Sequence, residues 1–475
     1  MKRFLLLAAI AVLAFVAISC PNNGGSGVPD LGGGDLIVPP PVNGGGGSGT
    51  RTFVITSPYE GVDWDAWGRY KASLHTHTIN SDGAATMEAM LDRHFLLGFD
   101  ILAVTDHVWR RVGGNLCFDN LLTRCVTDTG WPAHAQWQGD GDTVPLSHIT
   151  AARLQELQTG VGRGGRPMLI IPGAAELAPG SGSPNDEMAE ANVFFWMTEE
   201  MPPSAWTAPY NTVRMGIQAA HRNNALSFIN HPGRTTGAAA YDVGAIHSPT
   251  NPSNMDRWVN HYTAIYMEFP MSSLVGLEIF NRRDGDSRHD RVLWDNINTR
   301  TIPHGRFVWG FANDDTHSNS NTSASSIGTN VNVFLMPENN LDNIKATMRS
   351  GAFYMRTHVA RNEGVIVEGA HPRWHYGTGC TLPRILSIEV DEDEYTITIV
   401  AENADRIVWI SNGITIQTIP GGAGSSTVEG DRVTSTLELA HAHIGFQVGV
   451  YVRANIFAPG NQGIALTQPI GTRRN

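Results

Sequence analysis

The stretch Lys71-Ala-Ser-Leu-His75-Thr-His77 is a short strand-like run that ends in two histidines two residues apart. Side chains two residues apart on a β-strand point to one face, so both imidazoles are available to one ligand. Imidazoles combined with carboxylates suit Zn, Mn or Fe, and the stretch contains no soft thiolate ligand. It therefore predicts a strand that ends at a metal site.

The same arrangement recurs along the chain, because several short apolar runs end in polar or ionisable residues. These runs are Phe99–Val104 before Asp106-His107, Met168–Ile171 before Glu176, Leu226–Ile229 before His231, Val275–Phe280 before Asn281, and Phe307–Trp309 before Asn313–His317. Histidine and aspartate after a strand are also ordinary turn and cap residues. That alternative explains one or two positions but not the whole series.

Helical patterns lie between some of these runs. Thr86 is placed to cap a helix that ends at Gly98, a second apolar stripe begins at Val213, and a late helix ends near Gly351. Strands that alternate with helices predict parallel βα units, and in barrels of that kind the catalytic groups lie at the carboxyl ends of the strands.

The ordered series resembles the PHP (polymerase and histidinol phosphatase) superfamily over roughly residues 70 to 356. The motifs that carry the resemblance are His75-Thr-His77, Ser81-Asp82-Gly83, Thr105-Asp106-His107, Gly173-Ala-Ala-Glu176, Asn230-His231-Pro232, Gly276–Asn281 and Asp315-Thr-His317. The resemblance implies an α/β fold, a distorted (β/α)7 barrel, with two or three divalent metal ions at the carboxyl ends of its strands. It also implies a metal-dependent hydrolase.

Carried over residue by residue, the resemblance implies three groups of metal ligands. His75, His77, Glu176 and Asp315 hold one metal; Glu176 bridges to a second metal, which also takes His231; Asp82, His107 and His317 hold a third. Glu190 stands where the family often has a further histidine. It is either a carboxylate ligand or a sign that the second site is weakened.

Two more residues are candidates for supporting roles. Asp106 is a candidate acceptor that orients a ligand histidine. Arg234 follows Asn230-His231-Pro232-Gly233 closely and is a candidate for holding substrate oxygens, with a surface salt bridge as its alternative. The leading hypothesis is a phosphoesterase that uses a metal-activated water on a small phosphoester. The alternatives are an esterase or amide hydrolase resembling carbaryl hydrolases, and a non-catalytic surface lipoprotein.

Charge excludes one class of partner. The chain has 33 Lys and Arg against 45 Asp and Glu, a formal net charge of −12. This balance argues against nucleic-acid binding through a broad basic face. It leaves a small phosphorylated substrate open, since metal ions supply positive charge locally.

The first residues have the layout of a secretory signal. Lys2 and Arg3 precede an apolar stretch, and small residues lead to Cys20, as in a bacterial lipoprotein signal at residues 1–19 with lipid on Cys20. An uncleaved anchor and an ordinary signal with an incidental cysteine are the alternatives. Residues 20–50 are rich in Gly and Pro and predict a flexible linker. The expected location is the bacterial cell envelope, outside the cytoplasm and anchored to a membrane.

The end of the chain has a different pattern. Short β-type runs from Ile385 to Ile456 predict a small all-β, sandwich-like module at residues 381–475, after a hydrolase barrel at residues 51–375. Cys117 and Cys125 could form a disulfide in an oxidising compartment, and Cys380 has no evident partner.

Overall fold

The computed structural model of the 475-residue chain describes residues 53–107, 147, 149–177, 190–196, 213–233, 255–282, 288–320, 327–358, 381–416, 426–439 and 448–474. The described residues all belong to one compact unit, Arg51–Asn475. Within these ranges no helix has the length and apolar character needed to cross a membrane.

Six α-helices and twenty strands are described, and they are numbered in chain order. The helices are α1 Met87–Leu96, α2 Ala151–Thr159, α3 Val213–Arg222, α4 Met255–Glu268, α5 Arg288–Thr301 and α6 Leu341–Ser350, with 3₁₀ turns at Ile302–His304 and Pro459–Asn461. The first eleven strands are β1 Phe53–Thr56, β2 Gly68–Ser73, β3 Ile101–Leu102, β4 Leu169–Ile170, β5 Ala175–Leu177, β6 Ala191–Phe194, β7 Leu226–Ile229, β8 Leu274–Asn281, β9 Trp309–Asn313, β10 Asn330–Met336 and β11 Phe353–Thr357. The others are β12 Arg384–Asp391, β13 Thr396–Glu402, β14 Arg406–Ser411, β15 Ile414–Thr415, β16 Ser426–Glu429, β17 Arg432–Glu438, β18 Tyr451–Phe457, β19 Ile464–Leu466 and β20 Ile470–Arg474.

The helix ends follow from local chemistry. The Thr86 side chain accepts a hydrogen bond from the Ala89 N–H and satisfies one of the free amides at the start of α1. Gly351 ends α6 in the left-handed conformation, with φ of 79°. The predicted start of α1 and end of α6 are confirmed, and the predicted Gly98 boundary lies one residue beyond the Leu97 cap.

A five-stranded sheet with the order β5-β6-β7-β8-β9 has five predicted ligands on or next to its strands, namely Glu176, Glu190, His231, Asp315 and His317. Strands β7, β8 and β9 are parallel, as expected for βα units. Strand β6 is antiparallel to both of its neighbours, so the expectation of parallel units throughout is wrong at this strand. The predicted run Phe307–Trp309 also starts before the observed strand β9, which begins at Trp309.

An eleven-stranded sheet carries the other ligands. Strands β2, β3 and β4 are parallel neighbours, and β10 lies antiparallel on the other side of β2. Two isolated bridges join this sheet to the five-stranded one beyond the strand ends, Thr76 to Thr316 and His107 to Glu176. These bridges bring the ends of β2, β3, β5 and β9 together at one place.

The space between the two sheets is filled by one apolar cluster. The Phe228 ring of β7 stacks on Phe311 of β9 at 4.6 Å, and Phe311 lies 4.8 Å from Phe353 of β11. Leu74, which directly precedes His75, is fully buried in the same cluster. The fold is therefore mixed α/β, with a packed interior beneath the predicted site.

The C-terminal strands continue the main sheet. Strand β19 pairs with β11, and β20 pairs with β1 near the start of the described chain. A separate four-stranded sheet, β12-β13-β17-β16, shares an apolar cluster with Leu335 of β10 and Tyr354 of β11. The described C-terminal elements are strands apart from one 3₁₀ turn, and the predicted boundary between residues 375 and 381 stays a prediction.

Candidate metal centre

The predicted ligands are placed by the ends of five strands. His75 and His77 follow β2, His107 follows β3, Glu176 lies in β5, His231 follows β7, and Asp315 and His317 follow β9. Apart from His107 and His317, these side chains are almost fully buried. Residues far apart in sequence therefore meet in one pocket at the carboxyl ends of the strands.

Four donor atoms form the centre of this group. His75 Nε2 lies 3.1 Å from His77 Nε2, 3.3 Å from Glu176 Oε2 and 3.4 Å from Asp315 Oδ1. His77 Nε2 lies 3.2 Å from each of the same two carboxylate oxygens. Five of the six separations among the four atoms thus lie between 3.1 and 3.4 Å.

These separations are those of neighbouring ligands on one metal ion, since the bonds between Zn and histidine nitrogen or carboxylate oxygen are ~2.0–2.2 Å long. The donor set of two imidazoles and two carboxylates also suits Mn or Fe. The four residues fit a divalent transition metal ion in both distance and chemistry.

Glu176 extends the cluster away from these four atoms. Its Oε2 atom lies 3.2 Å from His107 Nδ1, and its Oε1 atom lies 3.5 Å from His231 Nε2. Glu190 Oε2 lies 3.3 Å from the same His231 nitrogen, and donor atoms of His107, Glu176 and Glu190 lie within 4.8 Å of one another. Glu190 therefore lies where a carboxylate ligand of a second metal would lie.

Asp82 contacts three histidines and forms with them an outer group that lies nearer to solvent. Its Oδ2 atom lies 3.1 Å from His317 Nε2 and 3.6 Å from His107 Nε2, while its Oδ1 atom lies 3.5 Å from His77 Nδ1. Asp82 is 42% exposed, whereas the inner carboxylates of Glu176 and Asp315 are 1% exposed. The inner and outer groups therefore differ in their access to water.

The charges of the cluster side chains favour bound cations. Burial opposes charge on His77, but its contacts with Asp315 and Glu176 raise its pKa to about 10. Burial likewise opposes ionisation of Glu176, yet the nearby His75 and His107 hold its pKa well below the usual range. Buried carboxylates of this kind need a compensating positive charge, which protons or metal ions can provide.

The structure adds Glu278, which received no role from the sequence. Glu278 is fully buried in β8, and its Oε1 atom lies 2.8 Å from His75 Nδ1. Its other oxygen accepts hydrogen bonds from the His231 N–H and the Asn281 amide, both at 3.0 Å. The sequence did contain an indication of this residue, because a carboxylate inside the apolar run Leu274–Phe280 has to be compensated by a partner.

Arg282 is the second residue that the sequence did not indicate. Its Nε atom lies 2.8 Å from Asp315 Oδ2, and its Nη2 atom lies 3.3 Å from His317 Nδ1. The residue follows β8 with φ of 49°, a left-handed conformation that is uncommon for a residue with a side chain. About one third of the side chain is exposed, so its charge faces both the cluster and the solvent.

Asp106 supports the loop that carries His77 and Asp82. Its carboxylate accepts hydrogen bonds from the Thr78 N–H at 2.7 Å and the Ser81 hydroxyl at 2.8 Å, and Ser81 Oγ lies 3.2 Å from His77 Nδ1. The described contacts thus link Asp106 to a candidate ligand through Ser81. Its orienting role stays a prediction, as do the individual ligand roles.

Gly83 explains the last residue of the Ser81-Asp82-Gly83 motif. A Cβ atom at this position would lie 2.6 Å from the His77 carbonyl oxygen, closer than a real side chain tolerates. Only glycine lets this turn fold back on the His77 loop. Arg234, Cys20, Cys117, Cys125 and Cys380 lie outside the described residues.

Comparisons with known proteins find structural neighbours only. No family model and no curated protein matches the chain. A two-domain protein from Bacteroides vulgatus, containing a predicted PHP-like metal-dependent phosphoesterase, matches with a TM-score of 0.41 and 14% identity, over 90% of this chain and 100% of that one.

Two further solved structures match over shorter stretches. A candidate metal-dependent phosphoesterase from Bifidobacterium adolescentis has a TM-score of 0.27 and 14% identity, over 52% of this chain and 87% of that one. A lesion-specific endonuclease from Pyrococcus furiosus has a TM-score of 0.29 and 11% identity, over 59% of this chain and 56% of that one.

Proposed function

We propose that the protein is a metal-dependent hydrolase of the PHP type, most suited to phosphoesters, with two or three divalent Zn, Mn or Fe ions. The observation that carries the proposal is the spacing of 3.1 to 3.4 Å that joins the His75 and His77 nitrogens to each other and to the carboxylate oxygens of Glu176 and Asp315. Neighbouring ligands of one metal ion have this spacing, since their bonds to the ion are ~2.0–2.2 Å long.

The protein side chains have separate tasks in this proposal. Glu278 is ionised, because His75 holds its pKa low against the effect of burial, so it accepts a hydrogen bond from His75 Nδ1. This contact leaves the His75 Nε2 lone pair facing the other donor atoms. Arg282 presents a partly exposed guanidinium next to Asp315, where it can donate hydrogen bonds to the oxygens of an anionic substrate.

Bound divalent ions would supply a water of lowered pKa and stabilise negative charge that develops during hydrolysis. Burial of the inner donors excludes bulk water from one side of the site, which strengthens every charge interaction there. The Arg282 cation and the exposed Asp82 edge mark the side from which substrate approaches. A small phosphoester suits this arrangement because its charge is concentrated on a few oxygens.

The proposal includes a distorted seven-stranded (β/α)7 barrel. Strands β2 and β3, the β4–β5 segment and strands β6 to β9 would form its wall, and the two isolated bridges support closure at the carboxyl ends. The antiparallel β6 would be its main irregularity.

The test combines elemental analysis of the purified chain with a screen of phosphomonoesters, phosphodiesters, carboxyl esters and amides. We expect bound Zn, Mn or Fe and metal-dependent release of phosphate. The double variant His75→Ala and His77→Ala should lose both, while a control with exposed His221→Ala and His304→Ala should retain both.

The screen also separates the competing functions. Cleavage of carboxyl esters or amides without cleavage of any phosphoester would replace the phosphoesterase by a carbaryl-hydrolase-like enzyme. A chain that holds no transition metal and remains inactive after reconstitution would instead be a binding lipoprotein.

We also propose that the chain is a lipoprotein of the bacterial cell envelope. The support is the sequence alone, namely the basic Lys2-Arg3 pair, the apolar stretch after it, and Cys20. Metabolic labelling with a radioactive fatty acid should mark the wild-type chain and leave Cys20→Ser unlabelled. Equal labelling of both chains would exclude Cys20 as the lipid attachment site.

A further inference from the structure

A cavity of about 690 Å³ lies on a different surface from the metal ligands. Its lining comes from β2, β10 and β11 and from the start of β12. Lys71 and the buried core residue Ala72 are neighbours on β2, so their side chains point to opposite faces of that strand. The cavity therefore lies outside the core that supports the metal cluster, and it shares none of the candidate ligands.

The lining is strongly basic although the chain as a whole is acidic. Its ionisable residues are Arg69, Lys71, Arg166, Arg356, His358 and Arg384. Among the described residues that line it, none is Asp or Glu. The chain has a net charge of −12, so this basic lining differs from the rest of the molecule and favours a negatively charged ligand.

Some of these cations are fixed by neutral partners, whereas Arg166 pairs with Asp100 at 2.6 Å and Arg384 pairs with Glu402 at 2.9 Å. Arg69 donates to the carbonyl oxygens of Ile385 and Leu386, at 3.3 and 2.8 Å, and Lys71 donates to the carbonyl oxygen of Leu97 at 3.2 Å. These hydrogen bonds hold the side chains in place without neutralising their charge. The site is thereby preorganised for a negative ligand.

Lys71 shows the electrostatic consequence of this arrangement. Its pKa is lowered to about 8, first by burial and then by the nearby Arg356 and Arg163, against the opposing effect of Asp314 and Asp100. Its ammonium group lies 4.0 Å from the centre of the Phe99 ring. An anion beside these residues would relieve the repulsion between neighbouring cations.

Aromatic and apolar side chains complete the lining. Trp67 and Leu382 contribute to the wall together with Val331, Val333 and Tyr354. The volume lies within the ~300–1,000 Å³ that small-molecule sites commonly have. The ligand should therefore carry a charged oxyanion group on an organic body and be larger than a bare inorganic ion.

We propose that this cavity binds a small organic oxyanion, a phosphate or sulfate ester with an apolar or aromatic body. Planar guanidinium groups match the geometry of tetrahedral oxyanions, and four arginines line the cavity together with Lys71. The proposal does not depend on the hydrolase function, because no candidate metal ligand lines the cavity.

The test is isothermal titration calorimetry of the full chain at low salt, with phenylphosphonate, benzenesulfonate and neutral benzyl alcohol as probes. We expect saturable binding of at least one anionic probe and none of benzyl alcohol. Tighter binding of phenylphosphonate would assign the site to phosphate esters, and tighter binding of benzenesulfonate would assign it to sulfate esters.

Two charge-removing variants locate the binding. Lys71→Met keeps an apolar stem against Phe99, and Arg384→Gln changes a residue that is 45% exposed, so at least the second should fold. Each should weaken anion binding by about tenfold. The control Arg153→Gln removes a cation that is paired elsewhere with Asp92 and Glu156, and it should bind as the wild type does.

Three results would overturn the proposal. They are no saturable binding of either anion, equal binding of benzyl alcohol, and unchanged binding by both cavity variants. The last result would place the anion elsewhere, for example at the metal cluster, and would leave the hydrolase proposal intact.

Discussion

His75 Nδ1 and Glu278 Oε1 lie 2.8 Å apart, and both side chains are completely buried. The Glu278 carboxylate also accepts hydrogen bonds from the Asn313 amide and the His231 backbone. A residue in the middle of β8 thus sets the orientation of a candidate ligand that follows β2. Such contacts tune metal affinity nearly as strongly as the ligands themselves.

Glu278→Gln should weaken metal binding by roughly 10- to 100-fold, because the glutamine NH2 group would face one of the donors that Glu278 accepts. Competition with a chelator measures the affinity, and circular dichroism checks folding. The exposed Glu60→Gln is the matched control and should leave the affinity unchanged. Wild-type affinity in folded Glu278→Gln would contradict a positioning role for this carboxylate.

Asp82→Asn should lower the metal content without abolishing it. Asp82 contacts His77, His107 and His317, whereas the inner donors of His75, Glu176 and Asp315 contact one another independently of it. The metal-to-protein ratio from elemental analysis measures the effect, with exposed Asp65→Asn as control. Complete loss of metal from folded Asp82→Asn would show that the two groups bind metal as one unit.

Metal removal should destabilise the fold, since it leaves several buried carboxylates with only protons for compensation. Scanning calorimetry before and after chelation should show a lower Tm, and the Tm should return when Zn or Mn is added. The His75→Ala, His77→Ala variant should show no such recovery. An identical Tm in all these states would argue against a metal that couples to folding.

We expect His94 to make the free energy of unfolding sensitive to acid, independently of the candidate metal ligands. Burial lowers its pKa to about 4 from the ordinary histidine value of 6.5. Between these two values the unfolded chain binds the proton and the folded chain does not, so the free energy of unfolding falls as the pH falls. The full loss is on the order of 3 kcal/mol, reached near the lower pKa.

Denaturant unfolding of chelated protein across this pH range measures the effect. His94→Gln should unfold with a shallower pH dependence than the wild type, while the exposed His304→Gln should keep the wild-type slope. Parallel curves for wild type and His94→Gln would show that His94 takes up its proton in the folded state.

Asp295→Asn should weaken the attachment of the C-terminal strands. Asp295 on α5 receives two hydrogen bonds from Arg453 on β18, both at 2.8 Å, and a third from the Tyr451 hydroxyl at 2.6 Å. Removing the charge leaves a buried guanidinium without its counterion, which costs roughly 3–5 kcal/mol. Denaturant unfolding measures the loss.

A solvent-exposed pair is the contrast for that variant. Glu156→Gln breaks the contact with Arg153 on α2, and such exposed pairs contribute at most about 1 kcal/mol. A loss for Asp295→Asn as small as that for Glu156→Gln would show that the buried pair does not hold the two elements together.

Much of the site was predictable because each ligand follows an apolar run in the sequence. His75, His107, Glu176, His231 and Asp315 carry that local signal, and the structure brings them together. Glu278 lies inside such a run and Arg282 directly follows the same strand, but their roles depend on which residues lie opposite them across the sheet. The Asn330–Met336 strand was also missed, although residues 330 to 333 alternate Asn and Val as strand residues often do.

The sequence by itself determined several strand ends, the Thr86 and Gly351 helix caps and the identity of the candidate ligands, because these depend on neighbouring residues along the chain. Only the tertiary structure decided that β6 runs antiparallel, that the C-terminal strands extend the main sheet, and that a basic cavity lies apart from the cluster. Strand direction and sheet order arise from contacts between residues that are distant in sequence. The donor distances of 3.1 to 3.4 Å arise in the same way, and His75 and Glu278, for example, are 203 positions apart. No local pattern encodes such distances.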